Sequence, residues 1–508
     1  MKYINITWSF ILVALLITSC DSNFESTNSN PNEPEIVSPG VLFTGATRSS
    51  VNSMVEESFL LANNAAQLTA KTLRSEVDRY EWNAFTTLWL NQYEALADFV
   101  DAENIAAEEG DNATQAASII MQSWVFSTLT MTYGDIPYTE AIKGTSNDNF
   151  TPAYDEQQAI LDGDGGVLDR LKEAEELLGA AISNNQTVEG DIIYGGDPAK
   201  WRKLANVIQL RVLLHLSNKR DVSSDMQAIV NDGDIFQSNE DNAILNYLGS
   251  FPNNFPIFPL KQGDFDAVVM AKPSVNLLQN YSDPRLGVFA RPDNILTLEE
   301  FNNSSAVYSG ADNGSEVGGC DKGGSRLGAR YYDYPSHPQG DTQANGIIST
   351  YAEQELILAE ATFKGIISGD SEAHYLDGII ASMDYYNVNL EVFGWSSYSD
   401  FYNNSGVAFD NTLTKIWEQK WIATFFHGME PLIDVRRMVY EANNDGSDFL
   451  PSEVPFLEIP CENLNDDKMP IRFLYPGNEQ SLNSENYDEA ISRIGGSNSQ
   501  NAKMYLME

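Results

Sequence analysis

WVFSTLTMTYGDIPY, residues 124–138, is an apolar helical run that meets a hard stop. Gly134 ends a helix at little steric penalty because it accepts a left-handed conformation. Pro137 then prevents the helix from resuming. Outward from this junction the same helical period recurs. Residues 50–73 carry Val51, Val55, Phe59, Ala62, Ala66 and Leu73 on one apolar face, and 83–108 carry Phe85, Leu88, Tyr93, Leu96, Phe99 and Val100. Residues 113–132 repeat the pattern with Ala116, Ile119, Ile120, Trp124, Leu129 and Met131. Further helices are predicted at 165–183, 199–218, 350–366, 371–390 and 411–427. Several are joined in pairs by short polar turns, the unit of tetratricopeptide-like arrays, although no repeat of roughly 34 residues is present.

Between about 220 and 345 the periodicity disappears. FPNNFPIFPLKQGDF (251–265), SGADNGSEVGGCDKGGS (309–325) and YYDYPSHPQGD (331–341) are rich in Pro and Gly. The expected fold class is therefore mainly α: tetratricopeptide-like helix pairs with a loop-rich, irregular insertion at 220–345, inside a single domain spanning 41–508. A last irregular stretch is expected at about 440–500.

The start of the chain reads differently. Lys2 precedes a short apolar run, WSFILVALLI at 8–17, then Thr18, Ser19 and Cys20, after which the sequence turns polar. The run is too short to span a bilayer, which takes about 20 apolar residues, and reads as a secretion signal over 1–19. Ile17-Thr18-Ser19-Cys20 resembles the bacterial lipobox. That resemblance implies cleavage before Cys20 and its acylation, with chains such as palmitate. Residues 20–40 would then be a flexible, lipidated tether, with Ser, Asn, Pro and acidic residues and almost nothing to bury.

The 508 residues hold 30 Lys plus Arg against 73 Asp plus Glu, a formal charge of −43. Such a surface repels phosphate backbones, so nucleic acid is excluded as a partner. It also disfavours lying flat on anionic lipid. Hydrophobic residues make up 42%, enough for a large core. Cys320 and Cys461 remain after Cys20; an exported location permits a disulfide between them, and two free thiols are equally compatible with the sequence.

No HExxH, GxSxG or Walker spacing occurs, and the four histidines form no helical metal pair. No catalytic residue, metal site or cofactor is assigned. DGDGG at 162–166 lacks the distal acid that closes a calcium loop and reads as a polar helix start. Two carboxylates suffice for a glycoside hydrolase, so acid count alone leaves that class open.

YGDIPY (133–138), DPAKW (197–201), DPRL (283–286), the helix YAEQELILAEA (351–361), IWEQKWIATFFHGMEPLIDVRRM (416–438) and RFLYPGNEQSLNSENYDEA (472–490) occur in this order. Together they resemble the SusD/RagB family of outer-membrane lipoproteins, in its SusD-like branch. The resemblance implies a surface-exposed, lipid-anchored protein of the outer membrane, non-catalytic, that caps a SusC-like TonB-dependent transporter. It implies capture of an oligosaccharide for delivery inward, as in polysaccharide utilisation, or of peptide on the RagB side. The blocks themselves read as architecture. Trp417, Trp421 and Phe425 are expected in the core. Asp283 is expected to cap a turn, Arg285 to meet a buried acid, and Arg436 and Arg437 to pair with the acids around Glu430 and Asp434.

A sugar site calls for flat aromatic platforms flanked by hydrogen-bonding side chains. Two stretches supply them. One is RSEVDRYEWNAFTTLWLNQ (74–92), with Arg79, Tyr80, Trp82 and Asn83; the other is the insertion, with Phe255, Phe258, Arg330, Tyr331, Tyr332, Asp333 and Tyr334. Arg79, Tyr80, Trp82, Asn83, Phe255, Arg330, Tyr331 and Tyr332 are the expected ligand contacts. On that reading, replacing Trp82 and Tyr331 by Ala weakens binding and leaves the melting temperature unchanged. The competing reading places Trp82 and Trp89 on one core-facing stripe.

Overall fold

A computed structural model of the chain describes residues 37–144, 148–248, 251–258, 260–294, 306–314, 318–332, 344–443 and 454–507. Cys20, the signal and most of the tether lie outside these residues, as do Asp333 and Tyr334. Pro39–Glu508 form one compact unit.

The chain begins with α1 (Pro39–Glu57), continued by a π-helical turn over Ser58–Ala62. Next come α2 (Thr86–Glu109), α3 (Asn112–Tyr133), α4 (Val167–Ser183) and α5 (Pro198–Leu216), each packed on the one before it. The turns have local causes. Gly110 sits at φ +73° after α2, and the Asp111 carboxylate caps α3 by accepting from the amides of Ala113 (3.1 Å) and Thr114 (3.2 Å). Asp197 caps α5 in the same way, with Pro198 in its first turn. This is the expected stack of tetratricopeptide-like helix pairs. Asp162, in the DGDGG stretch, accepts two hydrogen bonds from Arg220 (2.6 and 2.8 Å), and α4 starts directly after it.

A second helical group comprises α6 (Ser223–Asp232), α7 (Lys272–Asn280), α8 (Tyr351–Phe363), α9 (Ser371–Tyr386), α10 (Leu413–Ala423), α11 (Glu430–Ala442) and α12 (Ser484–Arg493). Buried charge joins α5, α8, α10 and α11. Arg211, on the inner face of α5, binds both oxygens of Glu353 at 2.7 Å. Arg437 meets Glu360 (2.6 Å), Asp434 (2.7 Å) and Glu441 (2.7 Å), and Lys420 lies 3.1 Å from Asp434. Taking these ions out of water is costly, so each must keep its partner. Arg436 departs from expectation: it donates to the carbonyls of Ile471 and Met131, not to an acid.

Three findings differ from the sequence reading. The helix expected at 50–73 starts at Pro39 and gives way to a strand, β1 (Thr69–Lys71), because Gln67 takes φ +60°. The stretch 220–345 is woven into the body. Beyond the short pair of β2 (Ile136–Pro137) with β3 (Tyr154–Asp155), β4 (Ala243–Leu245) pairs with β6 (Gly346–Ser349), and β5 (Val268–Met270) pairs antiparallel with β1, Thr69 opposite Met270. Its backbone groups thus find partners far away in sequence. Within 440–500, α12 forms because Tyr487 and Ala490 give it a buried face.

Candidate functional site

Three segments converge beside the β1–β5 pair. The loop after β1 is held by Asp78, fully buried, whose carboxylate accepts from the Lys71 amide at 2.6 Å. Burial pushes the Asp78 carboxyl up to about 7 against the opposing pull of Lys71, Asn313 and the Gly314 amide. The glycine-rich segment lies alongside. Its Asn313 side-chain amide donates to the carbonyls of Asn64 (3.1 Å) and Thr69 (2.9 Å). Residues 458–462 close the third side. The Glu458 amide donates to Gln67 Oε1 (2.8 Å), Gln67 Nε2 donates to the Glu458 carbonyl (2.6 Å), and the Cys461 amide donates to the Asn313 carbonyl (2.8 Å). A disulfide joins Cys320 to Cys461 across the two loops. Gly314 is required here: φ is +85°, and a Cβ would sit 2.1 Å from the Cys461 carbonyl oxygen.

A recess of about 260 Å³ lies against the second and third of these segments, lined by Gln67, Pro273, Asp312, Asn313, Glu458, Ile459, Pro460 and Cys461. Lys272 Nζ lies 3.1 Å from Asp312. The hydrogen bond and charge of Asp312, reinforced by Glu458 and Asp321, hold the Lys272 ammonium above the ordinary lysine range. Among the described residues the Oδ1 of Asn313, a residue only 4% exposed, has no hydrogen-bond partner, although a buried acceptor normally has one. A larger concavity of about 470 Å³ lies beside α2 and α3, with Glu103, Tyr138 and Arg170 in its wall. A third, about 370 Å³, runs between α4, α5 and α6. Among the described residues no cluster of His, Cys, Asp and Glu is arranged to hold a metal ion, and no helix is long and apolar enough to cross a membrane.

The expected ligand contacts divide. Arg79 and Asn83 are not core residues, and neither lines the recess. Arg79 is half-buried, donating to the Glu462 carbonyl (3.0 Å), and Asn83 is exposed. The aromatic platforms require correction. Tyr80 is fully buried, its hydroxyl bonded by Gln67 Nε2 (2.9 Å). Trp82 donates to the Val77 carbonyl (3.3 Å) and packs edge-on against Phe473, centroids 5.2 Å apart. Phe255 packs among Tyr247, Tyr331 and Phe426. Tyr331 stacks on Phe426 (4.4 Å) and Tyr332 on Phe265 (4.2 Å). Each of these five rings is buried among core side chains and turns no broad face to solvent; Trp82 and Trp89 are both core residues. Burying such rings in the core removes far more apolar surface from water than a surface platform would. Arg330 lies over the rings of Tyr385 and Tyr386 at 5.0 and 5.3 Å and does not line the recess. Sequence reading missed Gln67, Asp312, Asn313 and Glu458. The signal for them was the Asn-Gly turn at 313–314 together with the two cysteines, and it needed the disulfide pairing to be known.

The sequence blocks are architectural. Tyr133 donates to the carbonyls of Ala84 and Phe85, both at 3.0 Å. Asp135 accepts from the Gln157 amide (2.9 Å) and from Arg493 (2.6 Å). Arg472 donates to the Tyr133 carbonyl (2.8 Å) and stacks on Tyr475. Arg285 pairs with Asp283 of its own turn (2.6 Å) and with Gln419 (2.6 Å). Trp417, Trp421 and Phe425 lie in the core.

The family model for SusD-like proteins, described as starch-binding and associating with the outer membrane, matches residues 31–476. No curated protein shows significant similarity to the chain. Among solved structures, an outer membrane protein of Bacteroides vulgatus ATCC 8482, inferred to bind nutrients, is 27% identical with a TM-score of 0.71, covering 93% of this chain and 100% of its own. A SusD homologue of Bacteroides fragilis NCTC 9343 (23% identical, TM-score 0.73, covering 93% of this chain and 100% of its own) shares the fold. So does a chitin-binding SusD homologue of Flavobacterium johnsoniae (19% identical, TM-score 0.71, covering 92% and 98%). With its helix pairs, its ordered sequence blocks and a family match over most of its length, this chain belongs to the SusD-like family of outer-membrane nutrient-binding proteins.

Proposed function

We propose that this protein is a surface lipoprotein that captures oligosaccharide at the recess lined by Gln67, Pro273, Asp312, Asn313 and residues 458–461. It then passes its cargo to a SusC-like TonB-dependent transporter in the outer membrane, with no covalent step. The observation that carries the reading is the recess itself. It is a polar hollow stapled by a disulfide, in a member of a starch-binding family. A volume of about 260 Å³ is small beside drug-sized pockets and suits one sugar ring gripped at a chain end. Acylation at Cys20 would anchor the body to the membrane, facing the exterior. The test is calorimetry of the purified protein against glycan and peptide panels, with capture of the transporter from its own membranes. Saturable glycan binding without product release supports the reading. Binding confined to peptides would move the cargo to that class, and glycan turnover by the pure protein would overturn it.

A further inference from the structure

We infer that Asp78 holds a proton in the folded protein and donates it to Asn313 Oδ1, latching the glycine-rich wall of the recess to the loop after β1. The latch loosens when that proton is lost as pH rises. Its consequence for binding rests on the reading of the recess as the glycan site; the latch itself does not.

The unmet hydrogen bonds of this joint carry the inference. Asp78, fully buried, presents Oδ2 to the Lys71 amide (2.6 Å) and to the Asn313 side-chain amide (3.4 Å). Asn313 Nδ2 is anchored by the carbonyls of Asn64 and Thr69. Turning that amide over would set its oxygen against the same two carbonyls, so its orientation is fixed. The carboxyl and the carboxamide are thus in contact. Among the described residues each is left with one buried oxygen, Oδ1, that nothing donates to. An ionised carboxylate has no hydrogen to supply. A carboxylic acid does: an O–H on Asp78 Oδ1 serves both orphaned atoms in one bond, while Oδ2 goes on accepting from Lys71. The charges around the joint permit this. Lys71, half-buried on β1, is the cation that pulls on Asp78, and Glu57 draws on the same ammonium. Tyr80 is buried and neutral, and Arg79 is turned to the Glu462 carbonyl. The glycine-rich side contributes only the Asn313 and Gly314 amides, and Cys461 meets Asn313 through its backbone amide. Burial outweighs these pulls and raises the carboxyl to about 7. Once ionised, the carboxylate faces Asn313 Oδ1 acceptor to acceptor, and the Asn313–Gly314 wall loses that hold on β1.

The first readout needs no glycan. Between pH 6 and pH 8 a group titrating near 7 passes from about one-tenth to about nine-tenths ionised. Hydrogen exchange of the full protein is followed by mass spectrometry at both pH values, with labelling times scaled for the intrinsic rate. Peptides over 309–314 should lose protection about ninefold, the ratio of those ionised fractions, while peptides from α2 and α3 keep theirs. Asp78→Asn retains an oxygen for Lys71 and a permanent donor for Asn313, so its 309–314 protection should be level across the range. Infrared difference spectra at pH 6 should show a protonated-carboxyl band that D78N lacks. Glu57, also raised to about 7 by burial, is present in both proteins and cancels. The second readout is calorimetry with maltohexaose. If only the latched form binds, wild-type affinity falls about ninefold from pH 6 to pH 8 and D78N stays level. Equal protection of 309–314 at both pH values overturns the inference, in wild type alone if D78N does not fold, and so does a carboxyl band that D78N retains. A wild-type affinity unchanged by pH overturns the coupling to binding. Maltohexaose that fails to bind at either pH counts against the capture reading, and exchange and spectroscopy still decide the latch.

Discussion

The Cys320–Cys461 bridge makes a quantitative demand on stability. It closes a span of 141 residues, and for a loop of that length the chain-entropy relation gives about 5 kcal/mol of stability lost on removal. Unfolding entropy of about 2.1 cal/mol/K per residue acts here over a unit of roughly 470 residues. Together these convert to a fall of about 5 °C in melting temperature. Part of the effect should be local, since the bridge holds the two loops that form the recess. Differential scanning calorimetry of the wild type, with and without reductant, and of C320S/C461S measures it. Peptide mapping of unreduced protein confirms the pairing. Both the reduced and the variant proteins should melt lower and bind glycan more weakly. A double variant that melts with the oxidised wild type would refute it, as would a map finding both thiols free.

Other outcomes follow from burial and charge. Trp82→Ala removes a core ring and should destabilise by about 3–5 kcal/mol, so its melting temperature falls, contrary to the surface-platform expectation; an unchanged melt would contradict its packing. Glu353→Gln strands the Arg211 charge and should lose about 3–5 kcal/mol in urea unfolding; a loss below about 1 kcal/mol would mean that the pair is not buried as described. Glu353 is held below the usual carboxylate range by Arg211 and His427 despite burial. Its contribution is therefore present above the unfolded value of about 4.3 and lost as pH falls through the folded value. E353Q should then show less acid loss than wild type. Asp78 has the opposite sign. With its carboxyl raised to about 7 by burial, the folded state favours the protonated form, and that stability fades as pH rises from about 4 to 7. Asp78→Asn should thus compare more favourably with wild type at pH 8 than at pH 5; equal differences at both pH values would contradict the shift.

Much of the helical frame was readable from period alone. Leu88, Leu96 and Phe99 on α2 and Ile119, Ile120 and Leu129 on α3 face the core as their spacing requires. The ordered blocks were also readable as architecture, because Arg472 and Tyr133 are types that a buried joint needs. The weaving of 220–345 was not readable. Three-residue strands such as β1 and β5 are set by a partner about 200 residues away, and nothing local announces it. The candidate site failed for a related reason. Aromatic rings beside Arg and Asn look alike whether they serve core or ligand, and only neighbours such as Phe473 and Phe426 decide. Asn313 was invisible because its importance lies in one oxygen that the fold leaves unmatched.

Ligand capture is assigned to the hollow between the glycine-rich loop and residues 458–461. A crystal structure with a bound oligosaccharide tests it most directly. A sugar ring is expected in the recess against Gln67, Asp312, Asn313 and Glu458. A glycan seated instead against Glu103, Tyr138 and Arg170, with the recess bare, would contradict it.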